Sequence, residues 1–281
     1  MVISIVNHKG GTGKTTSAIN LGSALAMKQK SVLLVDLDAQ CSLSYSLGIH
    51  ETEPSLVEAI LEGIPVPMLV KRRDDMDILP GSPALADVEL SLAQAEDRYY
   101  HLKRALGGLS AYDYILIDCP PALSVLTINA LAASEYVIIP MQLDVLSLRG
   151  LDSMLSTLEK IRTLNPDIEV LGVLPIMVDP RKNIHKEILE YIRSNYDVRV
   201  FSQSIRINVK AAEAPSFGQS VLHYAPSSPS SQDYEAFSKI AGVADANSVG
   251  YFFDGIVGSG QKFCRVLHQD ITHVFHGCQP R

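Results

Sequence analysis

After the short apolar run Val2 to Val6, the chain reads Asn7-His8-Lys9-Gly10-Gly11-Thr12-Gly13-Lys14-Thr15-Thr16 and continues into a helix-forming run. Strand, glycine loop and helix in this order predict a phosphate-binding loop, because glycines let backbone N–H groups turn inward around phosphate oxygens. The N-terminus of the following helix adds partial positive charge at the same place. Lys14 would reach the β and γ phosphates, and the Thr15 hydroxyl would ligate Mg²⁺.

The loop departs from the general pattern at one position. The pattern G-x-x-x-x-G-K-[ST] places a glycine where this chain has His8. A chance glycine-rich turn is the alternative interpretation. Three glycines, a lysine and two threonines between a strand and a helix favour a variant phosphate loop instead.

The composition excludes several classes of protein. The 281 residues carry 24 Lys plus Arg against 31 Asp plus Glu, a formal net charge of −7, so attraction of the whole surface to DNA or anionic lipid is not expected. Any such binding has to come from a local basic patch. No apolar run approaches the roughly 18 residues of a membrane span, and no signal peptide is readable, so a cytoplasmic location is expected. Four widely spaced cysteines without CxxC spacing argue against a zinc site or a disulfide framework.

Short β-branched runs recur with room for a helix between them. They predict an α/β fold with a mostly parallel, twisted sheet and helices on both faces. The predicted strands are Val2 to Val6, Val32 to Asp36, Asp77 to Pro80, Tyr114 to Asp118, Tyr136 to Pro140 and Val170 to Ile176. After the serine- and proline-rich residues 227–231, a last helix is expected from Asp233 to near Ala244. Residues 247–281 show no sustained period, which predicts one domain over residues 1–246 and an irregular C-terminal tail.

Carboxylates follow two of the predicted strands. Asp36 and Asp38 stand at the end of the second, and Asp118 ends the fourth, directly before Cys119 and a proline pair. Ligands on parallel sheets sit at the carboxyl ends of the strands, so these residues are expected beside the phosphate loop. An Asp at a strand end is often a helix cap, but together with the loop Asp118 is interpreted as a Walker B residue that holds hydrated Mg²⁺.

The segment from Lys9 to Thr16 resembles the deviant Walker A loop of the ParA/MinD family of ATPases. The resemblance implies a P-loop NTPase fold, ATP and Mg²⁺ as ligands, and a homodimer that sandwiches ATP, with Lys9 reaching the partner's nucleotide. The nucleotide contacts it implies are Lys9, Gly10, Gly11, Thr12, Gly13, Lys14, Thr15 and Thr16. Residues 36–38 resemble the switch I motif of the family, so Asp38 is the candidate catalytic residue beside Lys9 and Lys14. Asp36 is expected to support the metal site with Thr15 and Asp118, and Ala39-Gln40-Cys41 departs from the Pro-Gln-Gly that relatives often carry.

The resemblance covers residues 1 to about 245. The segment from Ile205 to Gly218 is similar to a block of the chromosomal, Soj-like ParA proteins, with Arg206-Ile207 in place of Pro-Arg. On that pattern Asn208 would contact adenine, and Arg181, Arg206 and Lys210 are the candidate DNA contacts. Without the resemblance, an ordinary solvated surface is the simpler interpretation of these basic residues. Phosphate contacts alone suffice for sequence-independent binding of double-stranded DNA.

Three functions compete on this sequence. The first is a partition ATPase: ATP closes the dimer, the dimer binds nucleoid DNA, and a ParB-like protein stimulates hydrolysis and release. The second is a MinD-like membrane switch, for which the tail would need an amphipathic helix; Gly255, Gly258 and Gly260 weaken that helix, so membrane binding is not expected. The third is an iron–sulfur ATPase of the nitrogenase iron-protein type, against which Cys119 is interpreted as a small core residue. Positioning of another cargo is not separable by sequence, and His268, His273 and His276 in the tail are interpreted as scattered surface histidines.

Overall fold

The sheet has seven strands. The computed structural model describes residues 1–241. The strands are β1 Val2–Ile5, β2 Val32–Asp36, β3 Lys71–Arg73, β4 Met76–Leu79, β5 Tyr114–Asp118, β6 Tyr136–Gln142 and β7 Glu169–Ile176. They lie in the order β3-β4-β2-β5-β1-β6-β7, and every neighbouring pair is parallel except β3 with β4. The predicted α/β fold and all six predicted strands are confirmed.

Helices connect the strands and cover the sheet. They are α1 Lys14–Ala26, α2 Ser42–Ser46, α3 Leu56–Leu61, α4 Leu85–Ala93, α5 His101–Leu106, α6 Val125–Ala133, α7 Val145–Ile161, α8 Asn183–Asn195, α9 Val209–Glu213, α10 Val221–Tyr224 and α11 Pro229–Ala241, with 3-10 turns at Val66–Met68 and Ala214–Phe217. No helix within residues 1–241 is long and apolar enough to cross a membrane.

Two hydrophobic cores form because successive side chains of a strand point to opposite faces of the sheet. On β2, Leu33 and Val35 belong to the core that contains α3 to α8, whereas Leu34 belongs to the core of α1, α2, α10 and α11. Helices therefore cover both faces, as predicted. The P-loop helix α1 is itself buried along most of its length and packs against α11.

Two details differ from the sequence prediction. Strand β3 was not predicted, and it pairs with β4 as an antiparallel hairpin at the edge of the sheet. The last helix begins at Pro229, four residues before the predicted start at Asp233. The predicted helix end near Ala244, the domain boundary at 246 and all predictions for the tail 247–281 lie outside the described residues.

Candidate functional site

The phosphate loop joins β1 to α1 and is held in place by its own polar groups. The backbone N–H of Lys9 donates to Asn7 Oδ1 at 3.0 Å, and Thr12 Oγ1 donates to the Lys9 carbonyl at 3.2 Å. Asn7 Nδ2 in turn donates to the Pro140 carbonyl at 2.8 Å, which ties the loop to β6. The loop is therefore preorganised without a ligand.

Glycines shape the inside of the loop. Gly11 and Gly13 have φ values of 71° and 66°, in the left-handed region that favours glycine. A Cβ built on Gly10 or Gly11 would meet no atom within 4 Å, whereas one on Gly13 would lie 3.0 Å from Ile176 Cδ1. The open space at Gly10 and Gly11 is a cradle whose backbone N–H groups can surround an anion.

Lys14 places a cation at the bottom of this cradle. The residue is only 7% exposed, and its Nζ donates to the Lys9 carbonyl at 3.2 Å. Burial lowers the pKa of Lys14, and the nearby charges of Asp118 and Asp38 act in the opposite direction. A buried ammonium with one hydrogen bond acceptor is well suited to bind phosphate oxygens.

A pair of carboxylates lies beside the loop. Asp36 and Asp118 end the neighbouring strands β2 and β5 and are register partners. Burial and the charge of Asp36 raise the pKa of Asp118 well above its usual value, although the nearby Thr15 hydroxyl and Lys14 oppose the change. Within residues 1–241, both Asp118 oxygens are buried and lack a hydrogen bond partner of ordinary geometry. Because orphaned buried carboxylates are costly, this position calls for a cation.

Asp36 is held differently. Its Oδ2 accepts hydrogen bonds from the backbone N–H of Ser44 at 2.9 Å and from Ser44 Oγ at 2.7 Å. Burial raises the pKa of Asp36 to about 6, and these hydrogen bonds limit the increase. Asp36 therefore holds α2 next to Asp118. In this position it can support a metal site at Asp118.

Mg²⁺ fits the residues present at this point. Magnesium in nucleotide sites is usually held by one or two protein oxygens, substrate phosphates and water. Thr15 and Asp118 supply a hydroxyl and an orphaned carboxylate next to the anion cradle. Asp118 would bind the metal directly or through a metal-bound water, and its register partner Asp36 would support it.

Asp38 begins the loop that follows β2. It is half-buried, and its Oδ1 accepts a hydrogen bond from the Gln40 backbone N–H at 2.9 Å. Cys41, three residues on, has φ 52° and ψ 33°, so a residue with a side chain occupies a left-handed conformation at the start of α2.

Lys9 makes contacts that sequence reasoning missed. Its Nζ lies 3.0 Å from Asp144 Oδ2 and 3.3 Å from Ser147 Oγ. Asp144 caps α7 by accepting from the Ser147 backbone N–H at 2.8 Å, and although burial acts to raise the pKa of Asp144, its hydrogen bonds from Lys9 and Ser147 lower it overall. An Asp directly before an apolar periodic run is a helix N-cap signal that could have identified this residue.

His8 stands where the general pattern has glycine. Its Nδ1 lies 3.3 Å from Ser153 Oγ on α7, and its Nε2 is buried with no hydrogen bond partner in the described part of the chain. Burial and the charge of Lys14 lower its pKa. The side chain therefore packs toward α7, away from the anion cradle's glycines.

The segment that begins at Asn208 lies close to the end of the phosphate loop. Asn208 caps α9, accepting at Oδ1 from the Lys210 backbone N–H at 2.8 Å. The segment that it starts lines a cavity of about 20 Å³ together with Thr16, Asn20 and Ser46. The segment that follows Asn208 therefore lies beside Thr16 of the phosphate loop, and the contact of Asn208 with a base stays a prediction.

The predicted DNA contacts are paired with carboxylates. Arg181 forms a fork on Asp179, with two nitrogens at 2.9 Å, and its side chain is 87% exposed. Hydrogen bonds from Arg181 lower the pKa of Asp179. Lys210 Nζ lies 2.8 Å from Glu213 Oε2. Both cations are at the surface, and a nucleic acid would have to compete with these carboxylates.

Arg206 has a structural partner. Its Nε and Nη2 bind the buried carboxylate of Asp233 on α11 at 2.9 Å and 2.8 Å, and its backbone N–H donates to the same group at 2.9 Å. The side chain therefore anchors the segment before Asn208 to α11. Its role as a DNA contact stays a prediction.

The chain resembles known proteins over most of its length. A family model for an AAA domain matches residues 1–170. The chromosome partitioning protein ParA of Caulobacter vibrioides is 39% identical over 241 residues, 83% of this chain and 90% of that protein. The sporulation initiation inhibitor protein Soj of Bacillus subtilis is 38% identical over 244 residues, 85% of this chain and 96% of that protein.

A solved structure matches the fold as well. Cobyrinic acid a,c-diamide synthase from Mycobacterium smegmatis, with bound ADP and magnesium, superimposes with a TM-score of 0.77 and is 33% identical, covering 88% of this chain and 96% of that chain. The same protein is also known with a bound ATP analog and magnesium.

Proposed function

The chain belongs to the ParA/MinD family of deviant Walker A ATPases and is a ParA/Soj-type partitioning ATPase, and from that premise we propose that it is an ATP-dependent dimer that binds DNA without sequence preference. The cargo would be a chromosome or plasmid, and a ParB-like protein would stimulate hydrolysis and release. The observation that carries the proposal is the orphaned Asp118 carboxylate beside an anion cradle with a buried Lys14.

ATP and Mg²⁺ are the proposed ligands of this cradle. Bound Mg²⁺ would neutralise charge on the phosphates and polarise the bond to the γ phosphoryl group. The backbone of residues 10–13 would surround the phosphates, Lys14 would bind their oxygens, and Thr15 and Asp118 would hold the metal. Thr16 would complete the loop, and Asn208 would contact the base.

Asp38 is the proposed catalytic carboxylate. It is half-buried, accepts only a local hydrogen bond at Oδ1 from Gln40, and stands two residues after the anchored Asp36. A carboxylate so placed can orient an attacking water molecule and accept its proton. We propose slow hydrolysis without a partner, because the cation that would complete the site has to come from the second copy.

That cation is Lys9. In the single chain its ammonium is bound to Asp144, so it has to leave this carboxylate to reach a nucleotide. Two exposed apolar side chains lie near the loop. Leu146 stands two residues after Asp144 and is 67% exposed. Met177 is 44% exposed and contacts Gln142, which donates to the Gly11 carbonyl. Exposed apolar groups around the phosphate loop support a homodimer that closes over it.

DNA binding is proposed for Arg181 and Lys210, with Lys182 beside Arg181. Phosphate contacts of such residues carry no sequence preference, and each adds to the salt dependence. A dimer presents every cation twice, so ATP-driven dimerisation would raise DNA affinity. The protein would then be cytoplasmic and associated with the nucleoid when ATP is bound, and a membrane partner is not proposed.

The test is retention on nonspecific duplex DNA with Mg-ATP, Mg-ADP or no nucleotide. Wild type should be retained with ATP alone and lose retention steeply with salt. Lys14→Ala should abolish retention because it removes the nucleotide, and Lys210→Glu should reduce it. Lys239→Glu is the matched control, since Lys239 is also an exposed lysine paired with a nearby glutamate. Equal retention in all three nucleotide states, or equal losses in Lys210→Glu and Lys239→Glu, would refute the proposal.

A further inference from the structure

We propose that the residues after β2 set the position of the DNA-contact residues by direct packing, through the contact of Gly48 with Gly218. Residues 36–48 are called the switch segment here, and residues 208–218 the contact segment. The inference rests on the proposed function, because it concerns how the nucleotide state at Asp118 reaches Lys210.

The switch segment is tethered to the metal-binding carboxylate. Asp36 is the register partner of Asp118, and its Oδ2 binds both the N–H and the hydroxyl of Ser44 on α2. Ser44 is fully buried, and its Oγ also accepts from the Gly81 backbone N–H at 3.2 Å. A change at Asp118 or Asp36 therefore acts on α2 directly.

The end of α2 touches the contact segment backbone to backbone. A Cβ built on Gly218 would lie 3.1 Å from Gly48 Cα and 3.2 Å from Gly48 N. One built on Gly48 would lie 3.4 Å from Gly218 Cα. Both glycines have positive φ, 70° at Gly48 and 65° at Gly218. Because the nearest atoms at this point are backbone atoms, no flexible side chain there can absorb a movement of one segment against the other.

The contact segment is continuous, and its helix α9 lies at the surface. Asn208 caps α9, the 3-10 turn Ala214–Phe217 follows without a gap, and the Gly218 N–H closes that turn on the Pro215 carbonyl at 3.1 Å. No residue of α9 is buried. The turn that follows is anchored by Ala214, which is 2% exposed and lies in the same core as Leu47 of the switch segment. Arg206 on Asp233 and Gly48 at Gly218 fix the two ends of the segment. A displacement of Leu47 and Gly48 would therefore move the contact segment, which carries Lys210.

The space between the two segments is small. The cavity lined by Ser46 of the switch segment, by Ala211 and Pro215 of the contact segment and by Thr16 measures about 20 Å³. A cavity of this size holds about one water molecule. A nucleotide group larger than a water molecule that entered beside Thr16 would push Ser46 and Pro215 apart. Gly48 lies two residues after Ser46 and Gly218 three residues after Pro215, so such a movement would act on the Gly48 contact.

The experiment compares Gly218→Ala with Gly63→Ala. Gly63 has φ 68°, and a Cβ there would meet no atom within 4 Å, so it carries the same backbone strain without the contact. The measured quantity is the ratio of DNA affinities in Mg-ATP and Mg-ADP, with the dimer fraction determined in parallel by light scattering. In Gly218→Ala this ratio should fall about fivefold or more, the lower end of ordinary coupling between sites, while ATP still induces dimers. Gly63→Ala should keep the wild-type ratio.

Reciprocity sharpens the test. If the sites are coupled, DNA changes the affinity for a nonhydrolysable Mg-ATP analogue by the same factor by which the analogue changes DNA affinity. Both factors should shrink together in Gly218→Ala. A Gly218→Ala protein that dimerises and keeps the full wild-type ratio would overturn the inference. A wild type without any ATP-dependent DNA binding would instead overturn the proposed function.

A second variant covers the case in which Gly218→Ala does not fold. Ser44→Ala removes the hydroxyl that binds Asp36, at the other end of the tether, and introduces no steric contact. It should also reduce the affinity ratio, and it should abolish the analogue-dependent change in amide hydrogen exchange expected for residues 209–217 in wild type. Unchanged exchange in wild type on addition of the analogue, or an unaltered change in Ser44→Ala, would refute the coupling.

Discussion

The Cys41→Gly variant should be more stable than the Cys41→Ala variant. It begins α2 with φ 52° and ψ 33°, and the residue is 9% exposed. Both Cys41→Gly and Cys41→Ala remove the thiol, so the comparison between them isolates the effect of a Cβ in the left-handed conformation. The position matters for the proposed function because it lies three residues after Asp38, the proposed catalytic carboxylate.

The expected magnitude follows from two opposing effects. A Cβ in the left-handed region costs about 1–2 kcal/mol, and glycine loses about 0.5–1 kcal/mol through the greater freedom of its unfolded backbone. The unfolding free energy of Cys41→Gly should therefore exceed that of Cys41→Ala by about 0.5–1 kcal/mol. For a domain of this size the difference corresponds to about 2 °C in Tm.

The assay is urea unfolding of the full chain with a matched pair in an ordinary helix. Ser156 is exposed in the middle of α7, where Ser156→Gly should be less stable than Ser156→Ala by about 1 kcal/mol. The sign of the glycine–alanine difference thus reverses between the two positions. If Cys41→Ala proves as stable as Cys41→Gly or more stable, residue 41 does not carry the strain described here.

Three further predictions concern charged groups. Arg206→Lys keeps the charge but cannot form the fork on Asp233, so the unfolding free energy should fall by about 1–3 kcal/mol; unchanged stability in urea would contradict the anchoring role. Lys14→Met removes a buried cation, and burial lowers the pKa of this lysine. The unfolding free energy without nucleotide should therefore rise by about 1 kcal/mol, and the increase in Tm on adding Mg-ATP should disappear. A variant that is less stable without nucleotide would show that the ammonium is well satisfied in the folded chain. Burial raises the pKa of Asp36 to about 6, so the folded state holds its proton more tightly, and this stabilisation is complete below pH 3.8 and is lost as the pH rises through 6. Asp36→Asn should flatten the pH dependence of the unfolding free energy, measured without metal, between pH 4 and 6. An unaltered slope would contradict this explanation.

The sequence was sufficient for the parallel part of the sheet because its strands are apolar and buried on both faces. It failed at β3, whose three residues are Lys71, Arg72 and Arg73 and lack any apolar alternation. The hairpin turn is made by Asp74 and Asp75, both with positive φ. That turn type favours Asn-Gly or Asp-Gly pairs, so two aspartates gave no recognisable signal.

The early start of α11 has a local cause. Ser228 Oγ accepts from the Ser231 backbone N–H at 3.3 Å, and Pro229 occupies the first helical position. Serine followed by proline is a helix N-terminus signal, whereas the density of serine and proline around it favoured a loop.

The parts of the candidate site that lie within one short stretch of sequence were predictable. The phosphate loop and the strand-end carboxylates of Asp36 and Asp118 follow from order and spacing along the chain. The partners of Lys9 and Arg206, which are Asp144 and Asp233, come from distant elements, 135 and 27 residues away. Such pairs depend on how the elements pack, which no local pattern in a single sequence reveals.

The two borders of the sheet limit how copies of this chain can assemble. At one border the short strand β3 presents charged side chains, which discourages the addition of another strand. At the other, β7 continues into hydrogen bonds with residues 199–207, including Val173 with Phe201 and Val178 with Ile205. Within residues 1–241 a fibre that extends the sheet strand by strand therefore has no open template. Higher-order assemblies of this region would have to grow through side-chain surfaces instead of through backbone hydrogen bonds.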